Sequence, residues 1–363
     1  MAVRSQTEWR TWLRKAAEET GAFALSEAQV VPRGIVADTR VGADAVATLR
    51  PKQPKGTIKF AVIARSRLNP REAMAAISAW RAAKWDGAVL LCCPFISPRV
   101  AEICRSAGVN YLDKAGNCRI VAGGLHLEIT GCPNPAPDTR PLGNPFSPKG
   151  SRIVRALLEH PDHSWQVQEL AREAQVSFGL ASKSKQTLLD EGFVRVDGGR
   201  VQLQDPEGLL RAWRAAYRRG VESLDLYVMD DLLAAERALA DRCAAGGMKC
   251  ALAGFSAAWL LAPMVRVQRT TLLIEGSADK AETRYLVAAV GAKHVDSGAN
   301  LSLWFTGDPS MFYGGRTIEG RPVTSPIQTY LDCAGKAGRG EEAAQAVFEQ
   351  LIQPSFAQVR RTA

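Results

Sequence analysis

The chain has 363 residues, of which 46% are hydrophobic and 23% charged, and carries a formal net charge of +9. That length suits about two or three domains with sizeable cores. No run of eighteen apolar residues occurs, so no membrane span is expected, and the charged, amphipathic start MAVRSQTEWRTWLRKAAEE has no signal-peptide apolar core. The eight cysteines fit no zinc spacing: Cys92 and Cys93 are adjacent and no CxxC occurs. They read as reduced, buried small hydrophobes of a cytoplasmic protein, with no metal and no cofactor.

In chain order, residues 1–35 read as helical, with Trp9, Trp12 and Leu13 on one face, up to a break at Val31-Pro32-Arg33-Gly34. Residues 35–131 read as a small α/β domain. A polar, hairpin-like stretch leads to an apolar strand at Ile58–Ala64, then an amphipathic helix at 70–84. A continuous apolar run at 87–93 has the look of a buried strand. A helix at 97–107, a short strand at Asn110–Asp113 and a hairpin of 118–121 with Leu125–Ile129 close the domain. Residues 132–147, with five prolines, form an extended linker.

Residues 147–204 read as a winged helix-turn-helix. The first helix starts after Pro148 and carries Ile153, Val154, Leu157 and Leu158; the second spans Trp165 to Ala174. Gln175-Val176-Ser177 is the tight turn, and Ser177 suits the N-cap of a third helix running to about Asp190, which Gly192 stops. Two short strands, 193–196 and Arg200–Leu203, flank Asp197-Gly198-Gly199, a strong hairpin signal. That geometry points to double-stranded DNA as partner. On the third helix Ala181, Leu188 and Leu189 face inward. Phe178, Gly179, Ser182, Lys183 and Gln186 face out, where Gln suits adenine edges, Lys guanine or phosphate, and Ser either. Ser177 adds a further contact at that helix start. Lys149, Arg152 and Arg200 suit phosphates, which position a domain without specifying sequence. A winged helix that mediates only protein contacts is the alternative.

Beyond it, 205–219 reads as a helix, 249–253, 271–274 and 301–305 as strands, and 256–261, Pro326–Cys333 and 341–351 as helices. Lys plus Arg exceed Asp plus Glu by 20 to 12 over residues 1–146 and by 12 to 9 over 147–220, whereas residues 221–363 carry 14 against 16. The basic excess therefore lies where phosphates would be approached.

Three segments carry family resemblances. Residues 87–120, with Pro-Phe-Ile-Ser-Pro at 94–98 and Tyr-Leu-Asp-Lys-Ala-Gly-Asn at 111–117, resemble a restriction-endonuclease-like domain found upstream of winged helices in bacterial proteins. ALAGFSAAWLLAP (251–263) and SPIQTYLDCAGKAGRGEEAAQAV (325–347) resemble the C-terminal domain of the AbiEi family of type IV toxin–antitoxin antitoxins and repressors. That domain is related in fold to nucleotidyltransferases. The resemblance implies an α/β multidomain chain: a degenerate nuclease-like domain at 1–131, the linker at 132–147, the winged helix-turn-helix at 148–220 and an AbiEi-type, nucleotidyltransferase-like domain at 221–363.

Nuclease chemistry would need an Asp and an acidic-x-Lys on adjacent strands to hold Mg²⁺. The strand at 59–65 has Ile63 and Arg65 where Glu and Lys are wanted, and no carboxylate lies between Asp44 and Glu72. Arg65, Arg67 and Lys114 become candidate phosphate contacts instead, and Asp113 a turn residue bonded to the 114–117 backbone. Nucleotidyl transfer would need a Gly-Ser cradle and paired carboxylates on one strand. Gly254 and Ser256 read better as turn and N-cap, Glu275 stands alone on its strand, and Asp230 and Asp231 read as helix N-terminal acids. The expected function is sequence-specific DNA binding by a dimeric, antitoxin-like transcriptional regulator, not an enzyme, with a toxin or other protein as a further partner. A Mg²⁺-dependent nuclease or nucleotidyltransferase, and an adaptor in a defence or plasmid-maintenance system, are the competing readings.

Overall fold

A run of buried residues, Phe60 to Ala64, feeds two core layers in the first part of the chain. Phe60 and Val62 enter one core layer, Ala61 and Ile63 another. The structure is a computed structural model that describes residues 2–30, 35–36, 39–40, 43–83, 87–136, 144–229, 231–263, 269–278, 280–335 and 338–361. Two compact units result: residues 1–141 with 190–192, and residues 142–189 with 193–363.

The first unit runs α1 (Ala2–Thr20), β1 (Phe23–Val30), β2 (Ile35–Val36), β3 (Thr39–Arg40), β4 (Ala45–Pro51), β5 (Ile58–Ala64), α2 (Pro70–Ala82), β6 (Ala88–Cys93), α3 (Pro98–Ser106), β7 (Asn110–Asp113), β8 (Cys118–Ala122) and β9 (Leu125–Ile129). Seven of these strands form a mixed sheet in the order β1-β4-β5-β6-β7-β8-β9. The β5–β6 and β6–β7 pairs are parallel, and the outer pairs antiparallel. Trp9, Trp12 and Leu13 of α1 pack on one face with Phe60, Val62, Leu90 and Leu112. Ile77 of α2 with Val100 and Cys104 of α3 pack on the other with Ile63, Leu91 and Tyr111. Burial on both faces explains why β6 and residues 60–64 of β5 are apolar. Asn69 and Glu72 form a capping box at α2, with Glu72 N–H to Asn69 Oδ1 at 2.8 Å and Asn69 N–H to Glu72 Oε2 at 3.0 Å.

One expectation fails here. Residues 1–35 are not helical throughout: α1 stops at Thr20, Gly21 turns at φ 59°, and residues 23–30 pair with β4 as an edge strand. Glycine takes that left-handed φ without a Cβ clash, so it ends the helix. The break expected at 31–34 lies outside the described residues, as do linker residues 137–143. Cys92 and Cys93 point into opposite core layers, and burial pushes the Cys93 and Cys104 thiols up to about 12.

The second unit begins with α4 (Gly150–Glu159), α5 (Val167–Glu173), α6 (Phe178–Asp190), the hairpin β10 (Val194–Asp197) and β11 (Arg200–Leu203), and α7 (Pro206–Ala216). It continues with β12 (Glu222–Tyr227), α8 (Leu232–Ala245), β13 (Cys250–Leu252), α9 (Gly254–Leu261), β14 (Thr270–Glu275), α10 (Lys280–Ala289), β15 (Lys293–His294), β16 (Leu301–Thr306), β17 (Arg316–Ile318), β18 (Arg321–Val323), α11 (Pro326–Cys333), α12 (Arg339–Val347) and α13 (Gln353–Arg361). A second seven-stranded sheet has the order β15-β12-β16-β14-β13-β18-β17. Leu272 and Ile274 face α8 and α10, whereas Leu273 and Trp304 share a small opposite core with Met311. One large core joins α4–α7 and the hairpin to α9, α11, α12 and Phe356, so residues 148–217 and 254–356 do not pack independently. Among the described residues no helix is long and apolar enough to cross a membrane.

Candidate nucleic-acid interface

Gly198 and Gly199 close the β10–β11 hairpin at φ 53° and 78°, with Asp197 paired to Arg200. Two successive positive φ angles give the mirror-image turn that matches strand twist, which is why two glycines stand there. Trp165 corrects the expected start of the second helix. Its N–H donates to Val201 O at 2.9 Å and its carbonyl accepts from Val201 N at 2.8 Å, a β-bridge beside the hairpin. The Trp165 ring is buried in the shared core, so its apolar weight serves packing rather than a helix face.

Between α5 and α6, Gln175 adopts φ 52°, a left-handed position that costs an L-residue about 1–2 kcal/mol. Val176 N–H then reaches Ala171 O at 3.0 Å and closes α5. Ser177 Oγ accepts from Leu180 N–H at 3.3 Å, which caps α6. Ala181, Ser184, Thr187 and Leu188 form the buried side of α6, so Ser184 and Thr187 join a face expected to be wholly apolar, and Leu189 is only half-buried. Thr187 Oγ1 satisfies itself by donating to Lys183 O at 3.2 Å. Phe178 is 60% exposed, Ser177, Lys183 and Gln186 are exposed, and Ser182 is half-buried. The structure therefore brings these five residues to one stretch of one helix.

The expected phosphate contacts divide. Lys149 is exposed just before α4. Arg152 instead donates through Nη2 to Asp308 Oδ1 at 2.9 Å and fastens α4 to the loop after β16. Arg200 donates to Ser164 O at 2.7 Å and lies 4.0 Å from Glu169. Glu169 is held below the usual carboxylate range by the Gln166 N–H and then by His163. Arg65 and Arg67 belong to the first unit and are exposed, and Arg65 pairs with Asp44 Oδ2 at 2.8 Å. Because Asp308 keeps its own bond to Ser310 N–H at 3.1 Å, Arg152→Ala should lower thermal stability by only about 1 kcal/mol. A melting curve checks this.

Sequence reasoning missed Arg155 and Glu159. Arg155 is 3% exposed and its guanidinium carbon stands 4.9 Å from the Trp213 ring centroid. The available signal was an arginine inside the apolar run Ile153–Leu158. The spacing of its apolar residues implies a one-faced helix, whereas α4 is covered on several sides. Burial pushes the Glu159 carboxyl up to about 7, partly offset by a Ser325 hydrogen bond and the charges of Arg155 and Arg316. Gly314 makes room for it: a Cβ there would come within 2.7 Å of Glu159 Cδ. Between its unfolded value near 4.5 and its folded value near 7 the native state binds the extra proton, so stability falls as pH rises through that window. Glu159→Gln should therefore stabilise the chain by about 2–3 kcal/mol at pH 8 and by less than about 1 kcal/mol at pH 5. Urea titrations at the two pH values test it.

The acids weighed for enzyme chemistry have backbone or cationic neighbours. Asp113 accepts from Ile96 N–H at 2.9 Å and Asn117 N–H at 2.9 Å, Glu128 takes Arg105 through two contacts of 2.9 and 2.6 Å, and Glu275 lies 3.7 Å from Lys249. Asp231 caps α8 by accepting from Leu233 N–H at 3.2 Å; Asp230 lies outside the described residues. Ser256 is not an N-cap. It sits inside α9, accepts from Thr271 N–H at 2.8 Å and donates to Arg269 O at 3.1 Å, so it fastens the helix to β14. Gly338, at φ 69°, leads into α12.

Residues 251–263 and 325–347 thus form β13, α9, α11 and α12, and the three helices share one core with α4, α5 and α7. Tyr217 donates to buried Asp332 Oδ1 at 2.9 Å, and Arg214 reaches Glu341 at 2.6 Å, tying α7 and the residue after it to the same helices. Residues 202–353 match the family model described as the transcriptional regulator AbiEi antitoxin of type IV TA systems. The match supports a regulatory or antitoxin role. No curated protein and no solved structure matches the chain. The AbiEi-like region covers less than half of the chain and takes in both segments on which the sequence resemblance rests. It starts within β11, so α4, α5 and α6 precede it although they share its core.

Proposed function

We propose that this chain is an antitoxin-like transcriptional regulator that reads double-stranded DNA with α6 in a winged helix-turn-helix. The observation that carries this reading is the exposed run Ser177, Phe178, Lys183 and Gln186 on one helix, packed behind by α4 and α5 and flanked by a two-stranded hairpin. A helix so mounted fits the major groove, where Lys and Gln side chains discriminate bases. Lys149 and the hairpin supply backbone contacts. A homodimer would set two such helices about one or more DNA turns apart, and a toxin is the further partner that the AbiEi match favours.

The first unit, in this reading, is a nuclease-like fold without nuclease chemistry, because Asp113 and Glu128 are engaged and Arg65 stands where a catalytic lysine would be wanted. Selecting bound duplexes from a randomised pool tests the proposal. A defined motif with two half-sites, bound with an affinity that falls steeply with salt, is the expected result. Binding without an enriched motif would reduce the three helices and hairpin to a protein-docking module.

A further inference from the structure

A cavity of about 270 Å³ lies against α4, the α5–α6 turn and the 3-10 turn at Pro309–Phe312, all within the second unit. Four donors on residues that line it are buried and have no hydrogen-bond partner: Arg155 Nε and Nη1, Arg152 Nε and Ser310 Oγ. Glu159 Oε1, an acceptor near enough to act on Arg155 by charge, is also buried and bonded to none of them. Asp308 is taken by Arg152 Nη2, Asp332 by Tyr217 and Gln328, and Glu173 by the Tyr313 hydroxyl at 2.6 Å. Burial pulls the Arg155 guanidinium below its ordinary value, and on this 3% exposed residue Nε and Nη1 make no hydrogen bond. A buried charge of that kind is costly unless an acceptor arrives.

We propose that this cavity binds a small organic oxyanion, with its carboxylate or phosphate group seated on Arg155 and Ser310 and its apolar part against Phe312. The volume is at the small end of ligand sites, which suits a metabolite of one ring or a short chain rather than a polymer. Guanidinium donors are suited to planar or tetrahedral oxyanions. Gln175 also lines the cavity, so a bound anion touches the turn that leads into α6. The proposal goes beyond DNA reading and does not rest on it.

Calorimetric titration of the full chain with phenyl phosphate, benzoate and inorganic phosphate, at ionic strength matched with chloride, tests it without DNA. Saturable one-to-one binding of at least one probe is expected. Affinity should fall at least about tenfold in Arg155→Gln and several-fold in Ser310→Ala, the latter removing a donor but no charge and leaving the fold intact. The tighter of phenyl phosphate and benzoate identifies the anion class. No saturable binding by any of the three, or unchanged affinity in Ser310→Ala, would overturn the proposal, and the serine variant decides the matter even if Arg155→Gln does not fold.

Discussion

Asp113→Ala is expected to destabilise the first unit by about 3–5 kcal/mol. The residue is 1% exposed and both carboxylate oxygens are engaged: Oδ1 takes Asn117 N–H, while Oδ2 takes Ile96 N–H at 2.9 Å and the Asn117 side-chain amide at 2.8 Å. Removing the carboxylate orphans two buried backbone donors, each costing about 1–3 kcal/mol. The damage spreads, because Asn117 in turn holds Cys132 through its N–H at 2.9 Å and its carbonyl at 3.1 Å. Asp113→Asn should cost less, since the amide keeps one accepting oxygen. Guanidinium titrations followed by tryptophan fluorescence give the numbers. A loss below about 1 kcal/mol for the alanine variant would mean that the carboxylate is not structural, and would restore it as a candidate metal ligand.

Lys183→Ala and Gln186→Ala should each weaken binding to the selected duplex by about 1–3 kcal/mol, roughly 5- to 150-fold, and relax the preference at one base step. Both side chains are exposed on α6, and the buried residues of that helix are elsewhere, so neither change should disturb the fold. Lys149→Ala should differ in kind, with affinity falling alike for selected and scrambled duplexes and a shallower salt dependence. Anisotropy titrations at two salt concentrations separate the two patterns. Equal affinity in all three variants would remove α6 from the interface.

Periodicity and punctuation were readable at once. Ile58–Ala64, Asn110–Asp113, Leu125–Ile129 and Pro326–Cys333 have the bounds their patterns imply, because continuous apolar runs, Pro at a helix start and Gly pairs act locally. The strand after Gly21 was not readable, since an edge strand with one covered face shows only weak alternation, and its identity depends on pairing with β4. Trp165 misled for a similar reason: its bridge to Val201 joins residues thirty-six positions apart, and no local signal records that.

The candidate interface divides along the same line. By itself the sequence determined that a helix from about Ser177 to Asp190 exposes Lys183 and Gln186, that a glycine hairpin follows it, and that residues near 251–263 and 325–347 are AbiEi-like, since these depend on neighbours within a few residues. Only the tertiary structure decided which charges are left to act. It paired Arg152 with Asp308 and Arg65 with Asp44, filled Asp113 with backbone donors, and buried Arg155 with Nε and Nη1 lacking a hydrogen-bond partner. Charge pairing depends on distance in space and on burial, and both are set by contacts between residues up to about 150 positions apart, as Arg152 and Asp308 are.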